Sequence, residues 1–379
     1  MTSEFLYGSD VLTPAGRVAG QGLLVEGGCI RAVLPAGETP AARRVALPPE
    51  TLIAPGYIDV QVNGGGGVLF NDTPTPDAAC AIATAHRRLG TLSILPTLIT
   101  SDREAMRAAA AAMASAVAAD AGVLGVHFEG PFLSPARAGV HRPDLIRAPD
   151  TADLRLLQDL ARAGQGRVML TLAPECVTHD VQARLAEAGV LLSAGHSEAP
   201  FDLVQPPIRA VTHLFNAMPP MAARAPGVAA GALLGDVFAG VILDGIHVQT
   251  PMLRLLLAVK PGGRIMLVSD AMAVAGTDAT EFVLQGRKIL RRHGRLETES
   301  GTLAGADLCL AQAVRNAVTM LGLDIADAVA MASAVPADFL GLAHERGRIA
   351  PGLRADLVLL SPALDVLGTW QAGVWQGSA

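Results

Sequence analysis

The sequence predicts an α/β fold, a (β/α)8 TIM-type barrel with a small β-sandwich built from both chain termini, and three observations carry that expectation. From about Leu52 to Ala343 short apolar runs alternate with helical segments, which gives eight strands in βα order. The runs are continuously apolar, as strands covered on both faces are. No GxGxxG follows the first run, because the glycines at Gly64 to Gly67 lack that spacing and no helix follows them directly, so a closed barrel fits better than an open doubly wound sheet.

Taken in order, Phe5 to Leu47 alternates short apolar runs with glycine turns, and Glu26, Gly27 and Gly28 turn a hairpin within GLLVEGGCIRAVL. The first barrel strand lies in TLIAPGYIDVQV, before a helix from Asp77 to Leu89. LSILPTLI precedes a helix from Arg103 to Ala119, GVLGVHF one from Ala152 to Ala163, and VMLTLAP one from Val181 to Ala188. VLLSAG and AVTHLF come next, then FAGVILDG with a helix from Pro251 to Val259. The eighth strand, IMLVSD, is followed by a long loop and a helix from Leu308 to Leu321. GRIAPGLRADLVLLSP and VLGTWQAGVW repeat the texture of the N-terminal part, so residues 1–52 and 346–379 are expected to pair into one sandwich around a barrel of residues 53–345.

Composition narrows the partners. The 379 residues are 51% hydrophobic and 17% charged, an ordinary globular composition with a net charge of −6. The basic residues are dispersed, which leaves no footprint for nucleic acid or an anionic membrane. Cys29, Cys80, Cys176 and Cys309 form no CxxC pair, so neither a disulfide framework nor a thiolate metal site is expected. The N-terminus lacks the pattern of a signal peptide, so a cytoplasmic location is expected. The longest apolar stretches, Ala108 to Val126 and Gly227 to Leu243, are broken by Asp120 and Asp236 and read as buried elements rather than membrane spans.

In such a barrel the chemistry sits at the C-terminal ends of the strands. Glu129 ends the third run, His196 follows the fifth, His213 ends the sixth and Asp270 ends the eighth. His127 and Glu129 share a face by alternation. Singly, the Glu reads as a ligand, a base, or a capping or salt-bridged carboxylate, and each His as a core or loop residue. Together, Glu129, His196 and His213 form a three-ligand set for a catalytic divalent metal, and Asp270 would activate water and protonate the leaving nitrogen. The first strand carries Gln61, Val62 and Asn63 where many metal hydrolases on this barrel carry His-x-His. Neutral amides are poor ligands, so one divalent metal per chain is expected, zinc foremost, with iron, manganese and cobalt also suited to the donor set. Few aromatic residues are present, so the stacking rings of a long polysaccharide groove are lacking.

Further motifs carry a resemblance. PGYIDVQVNG, LPTLIT, GVHFEGPF, SAGHS, THLFNAMPP, RAPG, LDGIH, VSDAMAVAG and GTLAGA together resemble the N-acetylglucosamine-6-phosphate deacetylase family of the amidohydrolase superfamily, in register over nearly the whole chain. The resemblance implies metal-dependent release of acetate from an amino sugar phosphate. It places Glu129, His196 and His213 as metal ligands, Asp270 as catalytic acid and base, and His141 beside the acetyl carbonyl. It also places Val140, Asn216 and Ala217 against the sugar, Arg224 and His247 at the phosphate, Asp244, Gly245 and Ile246 among the substrate-binding residues, and Leu303, Ala304 and Gly305 in a covering loop. In the family the arginine crosses a dimer interface, so a homodimer with Arg224 acting across it is implied. A deacetylase for the galactosamine epimer, a ring-opening amidohydrolase and a non-catalytic sugar-phosphate sensor are the other readings.

Overall fold

The computed structural model describes residues 3–377. Eight parallel strands follow one another around the barrel in chain order: Tyr57–Val62, Thr91–Ile99, Gly125–Glu129, Arg167–Leu172, Leu191–Ala194, Ala210–Val211, Phe238–Val241 and Ile265–Leu267. The eighth does not form a regular ladder with the first. The seam is closed just beyond its end, where the Asp270 N–H donates to the Gln61 carbonyl at 3.0 Å and the Asn63 N–H to that of Ala271 at 2.9 Å. The fully buried Asp59 carboxylate adds a third link by accepting the Ser269 N–H at 3.1 Å.

Helices cover the outside, and several are started by side-chain caps. Thr75 and Asp102 accept N–H groups of the first turns of Pro76–Arg88 and Arg103–Ala119, and Asp150 with Asp153 forms a reciprocal capping box on Thr151–Arg162. Helix Leu310–Leu321 ends where Gly322 takes φ of 74°, a conformation that costs glycine little. Ile325–Ala332 and Ala334–Leu340 are two further helices that the apolar pattern does not separate.

The two chain ends meet in paired sheets. One has four strands, ordered Cys29–Pro35, Gln21–Glu26, Ser3–Tyr7 and Arg43–Ala46. The other has six and mixes both ends, with Leu357–Leu360 lying antiparallel to Leu52–Pro55. Leu6, Leu23, Ile30, Ile53, Leu357 and Trp370 fill the space between.

One expectation fails. The segment after the eighth strand is not a long loop but a four-stranded antiparallel sheet: Glu281–Leu284, Arg287–Arg292, Arg295–Thr298 and Leu303–Ala306. Its strands are short and the middle two carry arginines, so the alternation that marks a half-covered strand is weak. The inner face is apolar all the same, and Leu284, Ile289, Leu296 and Ala304 pack over Ile99, Val140 and Met272 at the barrel mouth. Among the described residues no helix is long and apolar enough to cross a membrane, and the four cysteines are free.

Candidate active site

His196, His213 and Asp270 each lie just past a strand, and each has a left-handed backbone, with φ of 48°, 30° and 50°. Such conformations cost a non-glycine residue about 1–3 kcal/mol and persist where the surroundings over-determine them. All three line one cavity of about 380 Å³ at the barrel mouth together with Glu129.

Glu129 Oε1 lies 3.0 Å from His213 Nε2 and 3.2 Å from His196 Nε2, and the two Nε2 atoms are 3.1 Å apart. His196 Nδ1 donates to the Arg137 carbonyl at 2.7 Å, so in the neutral ring Nε2 carries the lone pair. An imidazole lone pair facing a carboxylate oxygen needs positive charge between them. Burial opposes ionisation of Glu129, but His196 and His213 outweigh it and hold the carboxyl well below its usual range. Burial opposes charge on His213 as well, and there the carboxylate wins and raises the imidazole. One oxygen and two nitrogens in mutual contact, around a point that calls for positive charge, fit a borderline divalent cation.

Gln61 and Asn63 do something else. Asp270 Oδ1 accepts from Asn63 Nδ2 at 2.6 Å and from Gln61 Nε2 at 3.2 Å, and the same Gln61 nitrogen lies 3.3 Å from both oxygens of Glu129. Both partners are carboxylates, so the amides present N–H groups rather than lone pairs. Burial, followed by the Glu129 charge, pushes the Asp270 carboxyl up to about 6.

His141 stands beside the triangle, its ring centroid 4.3 Å from that of His196. One ring nitrogen of His141, a carboxylate oxygen of Glu129 and a ring nitrogen of His196 lie within 4.8 Å of one another, near enough for ligation. Its tautomer points elsewhere: Nδ1 accepts the Thr100 N–H at 3.3 Å, so the proton sits on Nε2. Burial and the neighbouring His196 hold the ring well below its usual pKa, which keeps it a neutral N–H donor.

Val140, Asn216, Ala217, His247, Leu303 and Gly305 also line the cavity. Asp244 stands behind His247, bonding its Nδ1 at 2.5 Å and the backbone N–H groups of Ile246 and His247 at 2.8 Å each. Gly245 completes that turn with φ of 73°. Ala304 does not face the cavity; strand alternation turns it into the apolar layer while Leu303 and Gly305 face inward. Arg224 is exposed and lies outside the cavity lining of its own chain. His127 does not bond Glu129; it joins a buried hydroxyl layer beneath, 2.7 Å from Thr171 Oγ1, which is itself 2.7 Å from Thr212 Oγ1. Asp59, Asn63 and Thr100 hold the site together without a motif of their own, and only the strand alternation of Asp59, Gln61 and Asn63 hinted at a shared face.

A parallel barrel with a Glu/His/His donor set and an aspartate at the C-terminal end of its eighth strand defines a metal-dependent amidohydrolase. Residues 244–375 match the Amidohydrolase family model. An N-acetylgalactosamine-6-phosphate deacetylase from Shewanella sp. (strain ANA-3) is 42% identical, over 85% of this chain and 82% of the relative. An N-acetylglucosamine-6-phosphate deacetylase from Haemophilus influenzae is 32% identical, over 93% of this chain and 94% of the relative. The crystal structure of N-acetylglucosamine-6-phosphate deacetylase from Pasteurella multocida superposes with a TM-score of 0.95 at 33% identity, covering 99% of this chain and 100% of that one. The chain belongs to the N-acetylglucosamine-6-phosphate deacetylase family.

Proposed function

We propose that this protein hydrolyses the acetamide of N-acetyl-D-glucosamine 6-phosphate to D-glucosamine 6-phosphate and acetate. The observation that carries the reading is the Glu129, His196 and His213 triangle, set beside Asp270 and His141 in one cavity of monosaccharide size. Glu129, His196 and His213 would hold one divalent cation per chain, zinc foremost, with iron, manganese or cobalt as alternatives, which would supply Lewis acidity toward the acetyl carbonyl and lower the pKa of water toward neutral.

The chain's own groups do the rest. Asn63 holds Asp270 Oδ1, which leaves Oδ2 to take the proton of the attacking water and pass it to the departing amide nitrogen. His141 donates its Nε2 proton toward the acetyl oxygen as negative charge builds there. Asn216 and Ala217 bound the sugar, and Leu303 and Gly305 form the opposite wall. His247, oriented by Asp244, faces the phosphate. The charge on a sugar phosphate keeps it inside the cell, so the cytoplasm is where this substrate is met.

Arg224 completes the phosphate site from a second copy of the chain in a homodimer. Its exposure outside its own cavity supports that placement, and a guanidinium fork matches phosphate oxygens. Arg224→Ala is expected to raise KM for the phosphorylated sugar far more than for the unphosphorylated one. Mixing Arg224→Ala with Asp270→Asn subunits is expected to restore turnover, because one site of the mixed dimer then holds both an intact Asp270 and a donated arginine. Mixtures no more active than their components would place the arginine outside the partner's site.

A second reading, the galactosamine epimer as substrate, is favoured by one observation, the 42% identity to the Shewanella enzyme. The deciding experiment is acetate release from both epimers and from unphosphorylated N-acetylglucosamine, with metal content measured on the same sample. Chelator-sensitive release from the gluco compound supports the proposal. Preference for the galacto compound moves the substrate and keeps the mechanism, and no release with any metal overturns the reading.

A further inference from the structure

We infer that Gln285 and Arg287, on the first turn of the inserted sheet, are positioning residues that set His141 for the reaction. The inference rests on the deacetylase reading, in which His141 donates to the acetyl oxygen. Gln285 Nε2 donates to the Thr100 carbonyl at 3.0 Å, and Thr100 is the residue that grips the His141 ring, through its N–H at 3.3 Å and its Oγ1 at 2.7 Å from Nδ1. The Arg287 guanidinium donates to the carbonyl of Val140, the peptide that joins directly to His141. One hairpin turn therefore holds the histidine by its ring and by its backbone. Neither Gln285 nor Arg287 lines the cavity, so they act through His141 rather than on substrate.

The backbone of that turn gives an independent sign. Leu284 pairs with Arg287 across a two-residue loop, and Gln285 and Gly286 have φ of 47° and 81°. A hairpin of this type favours Asn or Gly at its first position, and a glutamine there is strained. The strain is matched by a side chain long enough to reach a residue 185 positions away in the sequence. The sheet is itself tied to the barrel. Its last strand bridges to the end of the barrel's eighth strand, with the Ala306 N–H donating to the Asp270 carbonyl at 2.9 Å. That strand also carries Leu303 and Gly305. The same sheet thus holds His141, lines the cavity with Leu303 and Gly305, and bonds the backbone of the aspartate.

The test compares Gln285→Gly, Arg287→Ala and Arg287→Lys with the wild-type holoenzyme, measuring kcat, KM and the melting temperature, and repeats Gln285→Gly in a His141→Ala background. Gln285→Gly is expected to melt at or above the wild-type temperature, because glycine relieves the turn, yet to lose about tenfold in kcat, as small misplacements of a reacting group do. KM should stay within about twofold, since a group that acts in the transition state leaves ground-state binding alone. Arg287→Ala should behave alike and Arg287→Lys should recover most of the rate. In the His141→Ala background Gln285→Gly should cost nothing further, which a general loosening of the fold would not produce. Unchanged kcat in both Gln285→Gly and Arg287→Ala, or an equal loss with His141 already removed, overturns the inference alone. A wild-type protein that releases no acetate from either epimer overturns the deacetylase reading and takes this inference with it.

Discussion

Asp270→Asn is expected to lower kcat by about 10²–10⁴-fold, the range over which a positioned general acid or base contributes. The substitution is close to isosteric. Its amide oxygen can still accept from Asn63 Nδ2, which lies 2.6 Å from Oδ1, so the side chain stays in place and only the proton acceptor is lost. Metal content and substrate KM should remain near those of the wild type, as neither needs the Asp270 charge. The pH profile gives a second check. Burial and the Glu129 charge raise this carboxyl to about 6, while a cation at the triangle draws it back down. The wild-type kcat/KM should therefore fall on the acid side with an apparent pKa at or below about 6, because the base is consumed by protonation, and the residual activity of Asp270→Asn should lack that limb. Near-normal turnover in the variant would remove Asp270 from the mechanism.

Glu129→Gln is expected to have the second large effect, through loss of the metal. The wild-type carboxylate is the one negative ligand between two imidazoles, and it is also approached by the Gln61 amide nitrogen at 3.3 Å. A neutral glutamine removes the charge that attracts a cation, and turning its oxygen to the imidazoles brings its own NH2 against the Gln61 donor. Purified variant should carry far less than the one metal per chain expected of the wild type, and turnover should fall by several orders of magnitude. Thermal melts separate this from a fault in catalysis alone. A ligand that binds only the folded state stabilises it by mass action, so chelator should lower the melting temperature of the wild type and leave Glu129→Gln unmoved. Full metal content in the variant would show that the cation is held elsewhere.

Both predictions depend on residues legible in the chain, and the reason is local. A buried parallel strand is a short apolar run, and in a barrel the residue that ends the run lies at the catalytic rim, so Glu129, His196, His213 and Asp270 could be located without any long-range information. Gln61 and Asn63 in place of two histidines are equally legible, as residues on one strand face that are poor ligands, but their partners are not. The structure shows what the amides supply in place of ligation, hydrogen bonds that tie Asp270 and Glu129 together across the seam.

By itself, then, the sequence determined the order of the barrel strands, the meeting of the two chain ends and the placing of Glu129, His196, His213 and Asp270 on one rim, because periodicity and strand termini are properties of neighbouring residues. Tertiary structure alone decided the rest. The inserted sheet leaves little signal beyond a basic hairpin around His293, because its strands are short and partly exposed, and only packing against Ile99, Val140 and Met272 reveals its inner face. The proton position on His141 depends on Thr100, 41 residues away, and the inward turn of Leu303 and Gly305 beside a buried Ala304 depends on register. Hydrogen bonds between segments so far apart are set by strand register and loop closure. They leave no periodic trace in the chain.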